Sequence, residues 1–117
     1  MKTDIEYKNN ILYVKAPPIL SGNKTNKFES YIIPLILNLN AKYVTVNLKD
    51  VDLIDCKGVN SLIKISSIVN KNKGKLVLCE LNKYVNDYFK KTDIFDYCFK
   101  SKDYNSSVEV FKIWMMF

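Results

Sequence analysis

Two short apolar segments, each followed by a helical pattern, constrain the fold of this chain more than any other feature. Residues 43–48 alternate and are rich in β-branched side chains, which is typical of a strand. Residues 76–79 are continuously apolar, as expected for a strand buried in a sheet that helices cover. Because helical segments link the strands, the chain is predicted to form a mixed or largely parallel sheet with crossover helices.

The remaining segments complete one domain of the α/β class, assigned to residues 1–117. A chain of this length can build one hydrophobic core and is too short for two. Residues 11–14 are predicted to form a strand with residues 5–7 as a short partner, and residues 94–99 a last short strand. The expected order is β-β-α-β-α-β-α-β-α, with about four to five strands and about four helices packed against the sheet.

The helices are predicted from apolar periodicity and from residues typical of helix ends. From Thr25 onward apolar residues recur at three- and four-residue spacing, and Pro34 should kink this helix or mark a late first turn. The second helix should stop near Gly74. Asn82 is suited to capping a short third helix, and a capping-box pattern at residues 106–109 should open the fourth.

The composition argues against most catalytic and metal chemistry. The sequence contains no histidine, which removes Ser-His and Cys-His nucleophile pairs and histidine-ligated metals. Cys56, Cys79 and Cys98 have no C-x-x-C spacing, so reduced thiols are expected, with no metal and no cofactor. An enzyme is therefore the function class with the least support.

The basic charge does not indicate a nucleic-acid partner. The formal net charge of +6 comes from lysine alone, because the sequence has no arginine. Arginine makes the bidentate contacts to guanine and phosphate that lysine cannot, so a solvated basic surface is favoured over direct nucleic-acid binding.

The first residues lack a signal-peptide pattern, and the longest apolar run, residues 31–37, is too short to span a bilayer. A cytoplasmic location without membrane insertion is expected.

Residues 55–58, Asp-Cys-Lys-Gly, lie where a strand runs directly into a helix. Asp55 is suited to capping that helix, and Gly58 allows a close backbone approach or an unusual dihedral angle. Lys57 breaks a local rule, because a cation in the first turn of a helix is unfavourable by about 0.3–1 kcal/mol. Such a residue is a candidate functional position, although an ordinary exposed lysine explains Lys57 equally well.

This region resembles the signature of STAS domains, particularly of bacterial anti-sigma factor antagonists. Residues 44–59, V-T-V-N-L-K-D-V-D-L-I-D-C-K-G-V, are similar to the family's strand, D-S-S-G motif and following helix. Residues 73–79 resemble the family's glycine turn and next strand, and residues 81–89 and 92–95 resemble its later segments. The resemblance covers most of the chain and implies the STAS fold.

The resemblance also implies a regulatory role. In the family, the unphosphorylated domain binds an anti-sigma factor, usually a serine kinase, and phosphorylation of the second serine of D-S-S-G ends the interaction. Lys57 matches that serine and cannot be phosphorylated, which implies a constitutive binder or a partner that no longer acts as a kinase. The residues expected to contact the partner are Ser21, Asp55, Cys56, Lys57, Gly58, Asn60 and Ser61.

Several alternatives stay open at this point. The family's acidic first loop is replaced by Pro-Ile-Leu-Ser at residues 18–21, where Ser21 can still cap a helix. A STAS-like scaffold subunit of another assembly, such as a lipid-transport complex, is the alternative function, and a homodimer is a further option. The apolar tail, residues 114–117, either completes the buried face of the last helix or contacts a partner.

Overall fold

The computed structural model of the chain describes residues 4–116. Residues 1–3 of the expected domain and Phe117 of the apolar tail lie outside the described residues. The elements are β1 (Asp4–Lys8), β2 (Ile11–Lys15), β3 (Ile19–Leu20), α1 (Gly22–Leu39), β4 (Tyr43–Asn47), β5 (Leu53–Ile54), α2 (Cys56–Lys71), β6 (Lys75–Cys79), α3 (Lys83–Lys90), a short 3-10 helix (Ile94–Asp96), β7 (Phe99–Ser101) and α4 (Tyr104–Met115).

Five strands form one mixed sheet in the order β1-β2-β4-β6-β7. The β1–β2 hairpin is antiparallel, and β2, β4, β6 and β7 run parallel to one another. Asn9 and Asn10 close the hairpin with positive φ angles of 55° and 66°, as a tight type I′ turn requires. The mixed α/β sheet with four helices was therefore predicted correctly. A second sheet of two parallel strands, β3 and β5, was not predicted.

The hydrophobic core lies mainly on one face of the sheet, where α1, α2 and α3 contribute side chains to a single cluster. Phe28 and Ile32 of α1 and Leu62 of α2 are fully buried in it. Helix α4 covers the opposite face, where Phe111 packs with Ile11 and Val77. The chain therefore forms three layers, with helices on both faces of the sheet, as expected for a largely parallel sheet.

Helix α1 begins at Gly22, three residues before the predicted start at Thr25. Pro34 lies in its interior on the exposed side, so the reading of Pro34 as part of a late first turn is wrong. Pro34 has no N–H, so it cannot donate the helical hydrogen bond to the carbonyl of the residue four positions earlier.

The end of α2 agrees with the prediction, but Gly74 has a different role there. The left-handed residue after the helix is Lys73, with a φ of 60°. A Cβ atom at Gly74 would collide with the backbone carbonyl of Lys42, and the next residue, Lys75, donates its backbone N–H to that carbonyl at 2.7 Å. Gly74 thus allows the start of β6 to pass close to the chain ahead of β4.

Two predictions in the last third of the chain are wrong. Residues 94–99 do not form a strand, because Ile94–Asp96 turns into a 3-10 helix and β7 starts only at Phe99. Ser106 does not cap α4; the cap is Asp103, whose Oδ1 accepts the N–H of Ser106 at 2.8 Å. A charged carboxylate interacts more favourably than a hydroxyl with the positive end of the helix dipole.

The cap of α3 agrees with its prediction. Asn82 accepts the N–H of Val85 at 2.9 Å.

Candidate partner-binding surface at the start of helix α2

The Asp55 carboxylate connects the starts of two helices. Its Oδ1 accepts the backbone N–H of Gly58 in α2 at 3.0 Å, and its Oδ2 accepts the N–H of Gly22 in α1 at 3.1 Å. The first N–H groups of a helix have no partner within the helix and form the positive end of its dipole. The predicted cap of α2 is confirmed, and the cap of α1 is a second role that was not predicted.

The charge state of Asp55 follows from these contacts. Partial desolvation raises the pKa of the carboxyl group, but hydrogen bonds from the backbone N–H groups of Gly58, Gly22 and Lys57 together outweigh it. The pKa of Asp55 therefore lies below its ordinary value. Asp55 is a carboxylate at neutral pH and serves as an anion held between two helix starts.

Gly58 allows α2 to start directly against the small β3–β5 sheet. A Cβ atom at this position would collide with the carbonyl oxygen of Leu20 and lie 2.8 Å from Cγ1 of Ile54. The prediction that Gly58 permits a close backbone approach is confirmed. Because the helix begins at Cys56, residues 56–58 form its first turn and not a loop ahead of it.

The seven residues expected to contact a partner differ in exposure. Cys56, Lys57 and Asn60 are exposed, Ser21 and Asp55 are half-buried, and Gly58 and Ser61 are buried. Ser61 is 1% exposed, and its Oγ has no hydrogen-bond partner among the described residues. Its side chain lies on the buried face of α2 and offers no surface to a partner in this conformation. The exposed part of the site is therefore Cys56, Lys57 and Asn60.

Ser21 occupies the N-cap position of α1 without capping it through its side chain. Its backbone is extended, with φ −143° and ψ 154°, but its hydroxyl makes no capping hydrogen bond. The expectation that the Ser21 side chain caps this helix is wrong, because the Asp55 carboxylate takes that place from across the small sheet.

Two exposed side chains beside the turn were not predicted as part of the site. Leu53 is 48% exposed and Tyr84 is 45% exposed. The Tyr84 hydroxyl accepts the N–H of Ile54 and donates to its carbonyl, both at 3.3 Å. Leucine and tyrosine side chains of this kind supply the apolar contact area of many interfaces. Nothing in the sequence indicated that α3 lies beside the turn, since this contact joins residues 30 positions apart.

The thiols differ strongly in accessibility. Cys56 is exposed, whereas Cys79 and Cys98 are buried. Burial raises the pKa of Cys79 to about 12 and the pKa of Cys98 to about 11.

Within residues 4–116, no three His, Cys, Asp or Glu side chains come together as a metal site would require. Of the helices in the same range, none has the length and the apolar character that a membrane span needs.

Comparisons with known proteins point to one family. The STAS domain family matches the chain over residues 2–109. No curated protein sequence matches the chain.

Three solved structures share the fold at low sequence identity. A candidate anti-sigma factor antagonist from Thermotoga maritima has 16% identity and a TM-score of 0.83, with 92% of each chain covered. A variant of RsbS from Moorella thermoacetica has 13% identity and a TM-score of 0.83, with 100% of each chain covered. The anti-sigma factor antagonist SpoIIAA, in its unphosphorylated form, has 12% identity and a TM-score of 0.79, with 95% of this chain and 97% of SpoIIAA covered.

Proposed function

The chain belongs to the STAS domain family, and on that premise we propose that it is an anti-sigma factor antagonist that binds an anti-sigma factor of the serine-kinase type. The contact is made by the exposed side of the first two turns of α2, through Cys56, Lys57 and Asn60. Ser21 lies at the edge of this surface, and Asp55 and Gly58 support it from below. The anti-sigma factor antagonists among the solved structures support the proposal through their common fold.

The observation that carries the proposal is the way the exposed turn is held in place. Asp55 accepts a hydrogen bond from the start of α1, and Gly58 allows the turn to pack directly against the carbonyl of Leu20. A surface that is ordered before binding loses less conformational entropy when a partner docks. The exposed Lys57 and Asn60 side chains project from this rigid base, which is what a recognition surface requires.

We further propose that phosphorylation does not control this surface. Lys57 is not a substrate for a serine kinase. Ser61 and Ser66 on the same helix are each 1% exposed, and the Ser66 hydroxyl donates to the Tyr97 carbonyl at 2.7 Å. Ser67 is exposed, but it lies about 15 Å along the helix from Lys57. A kinase that docks on the first turn of α2 therefore finds no accessible serine hydroxyl on α2 itself beside that turn.

The test is a calorimetric titration of the chain with each purified serine-kinase-type anti-sigma factor of the organism that encodes it. Lys57→Glu is expected to weaken binding by roughly tenfold, because it reverses a charge at the centre of the contact. The free energy of unfolding should change by about 1 kcal/mol or less, since a glutamate in the first turn favours the helix. Lys8→Glu, on the exposed β1 hairpin, is the matched control and should bind as the wild type does.

Two results would contradict the proposal. If no anti-sigma factor of this type binds the wild type, the proposed function is wrong. If incubation with the anti-sigma factor and Mg-ATP adds one phosphate group per chain on α2, by intact mass and peptide mapping, the absence of phosphorylation control is wrong. Wild-type affinity in Lys57→Glu would leave Lys57 as an ordinary surface residue.

A scaffold subunit of another assembly is the second candidate, and one observation favours it. The end of α4 exposes Ile113 and Met115. The exposed Phe99 of the edge strand β7 packs against Trp114 of the same helix, with ring centroids 4.8 Å apart and the rings tilted by 58°. An apolar area of this kind is typical of a contact with another subunit or a second copy. Neighbouring genes for sigma factors would favour the first candidate, and neighbouring transporter genes would favour the second.

A further inference from the structure

Helix α2 carries three lysines in one row on its exposed face. Lys57, Lys64 and Lys71 are all exposed and are seven residues apart. Seven residues are close to two helical turns, so the three side chains lie nearly in line, about 10 Å apart along the helix and over a length of about 21 Å. We call these three residues the lysine row. It begins in the turn that forms the candidate site.

Few acidic side chains balance the positive charge of the lysine row. Helix α2 contains no Asp or Glu, whereas α3 pairs Lys83 with Asp87 at 2.8 Å. Lys64 pairs with Glu29 of α1 at 3.4 Å. In the part of the chain that the structure describes, neither Lys57 nor Lys71 forms an ion pair. An exposed helix usually balances its lysines with acidic residues three or four positions away, and α2 lacks this balance.

The surrounding layer has the same sign of charge. Together α1 and α2 carry five lysines and one glutamate. Helix α4, on the opposite face of the sheet, carries one lysine and one glutamate. The positive charge of the helices is therefore concentrated on one side of the molecule, where it produces a local potential that attracts acidic surfaces.

We propose that the lysine row is a docking surface for the acidic face of a protein partner, continuous with the turn at residues 55–58. This proposal rests on the proposed function, because it names the chemistry that the partner presents to the same surface. The complementary face carries carboxylates over a length of about 20 Å, matching the row. The half-buried side chain of Ile68 packs against the core. It follows Lys64 by four residues and precedes Lys71 by three, so it adds apolar contact area beside the charges.

A protein fits this surface better than a nucleic acid or a membrane does. The exposed side chains between the lysines include Asn60 and Ser67, and α2 has no aromatic residue or arginine on which bases could stack. The large exposed apolar side chains of the described residues all lie on other elements, so α2 has none to insert into a lipid interface.

The test compares three forms of the full chain by titration with the anti-sigma factor that binds the wild type. The row variant carries Lys64→Glu and Lys71→Glu and keeps Lys57, because Lys57→Glu alone is already expected to weaken binding. The control variant carries Lys8→Glu and Lys102→Glu, which changes the net charge by the same amount at exposed positions elsewhere. The row variant should bind at least about tenfold more weakly and the control within about threefold of the wild type. Wild-type affinity should fall as salt rises, because salt screens exposed charges.

A second row variant, with glutamine at positions 64 and 71, keeps the test valid if repulsion between the new glutamates and Glu29 prevents folding. It should lose affinity in the same direction, by a smaller factor. Equal affinity of the wild type, both row variants and the control would overturn the proposal about the lysine row and leave the proposed function intact.

If no anti-sigma factor binds the wild type, the proposed function is contradicted, but the proposal that the lysine row binds an acidic protein is not. The same variants then serve as baits in a lysate of the native cell, and any retained protein is purified and titrated. An acidic protein that binds the wild type and the control but not the row variants supports the proposal. The absence of such a protein overturns it. Row-dependent binding to duplex DNA or to phosphatidylglycerol vesicles, each used as a separate probe, would also overturn it.

Discussion

At the scale of single residues, the candidate surface depends on Asp55. Its two carboxylate oxygens accept backbone N–H groups from helices that start 34 residues apart in the chain, at Gly22 and Cys56. The charge of the carboxylate is balanced by the positive ends of both helix dipoles. One side chain thus fixes the relative position of the α1 start and the turn that carries Lys57.

Replacing Asp55 should therefore cost more than the loss of a single cap. Asp55→Ala is expected to lower the free energy of unfolding by about 1–3 kcal/mol, since one cap contributes about 0.5–2 kcal/mol. Urea denaturation followed by circular dichroism measures the change. Asp52→Ala, at an exposed aspartate three residues earlier, is the control and should change stability by about 0.5 kcal/mol or less. Equal effects of the two substitutions would show that the double cap contributes nothing.

The same carboxylate predicts a dependence of stability on pH. The pKa of Asp55 is lower in the folded chain than the ordinary value of about 3.9 that it has when unfolded. Its contribution is therefore complete above the unfolded pKa and is lost as the pH falls through the lower folded pKa. The difference in stability between the wild type and Asp55→Asn should be largest near neutral pH and should shrink below about pH 4. A constant difference down to acidic pH would contradict this account.

At the scale of the elements, the packing of α2 against β3 and β5 determines where the turn lies. Gly58→Ala would place a methyl group against the carbonyl of Leu20, so it should destabilise the fold by about 1–3 kcal/mol. Helix propensity alone predicts the opposite sign, a gain of about 1 kcal/mol. Lys57→Ala, at the neighbouring exposed position, is the matched control and should be neutral or slightly stabilising. Urea denaturation of Gly58→Ala decides between the loss expected from packing and the gain expected from helix propensity. A Gly58→Ala variant more stable than the wild type would contradict the packing described for this turn.

The elements that the sequence predicted well are those whose own residues carry the pattern. β4 is recognisable from its alternating, β-branched residues and β6 from its continuous apolar run. Helix α2 is recognisable from its periodicity and from Asp55. Residues 94–99 have an apolar run too short to distinguish a strand from a turn. The hydroxyl of Thr92 accepts the N–H of Ile94 at 3.2 Å and favours the 3-10 helix instead.

The parts that could not be predicted depend on contacts between distant segments. β3 and β5 are two residues each, too short for any periodic pattern, and exist because they pair with each other. The second cap made by Asp55 and the bonds of Tyr84 to Ile54 also join residues at least 30 positions apart. The sequence therefore predicted where the candidate site lies in the chain. The contacts that support that segment and the burial of Ser61 could be read only from the fold.

At the scale of the whole molecule, the two outer layers have different surfaces. The side formed by α1 and α2 is basic and presents the first turn of α2. The side formed by α4 and the edge strand β7 has little net charge on its helix and exposes apolar side chains such as Met116, which is 81% exposed. The proposed acidic partner and the subunit contact of the second candidate function would therefore lie on opposite sides of the domain and would not compete.

The most direct test of the central claim is the release of a sigma factor. The purified chain is added to a preformed complex of a sigma factor with its serine-kinase-type anti-sigma factor, and size-exclusion chromatography measures free sigma factor with and without Mg-ATP. The account predicts that the chain joins the anti-sigma factor and frees the sigma factor, and that prolonged incubation with Mg-ATP does not reverse the release. A sigma factor that stays bound, or a release that Mg-ATP reverses as the chain becomes phosphorylated, would contradict it.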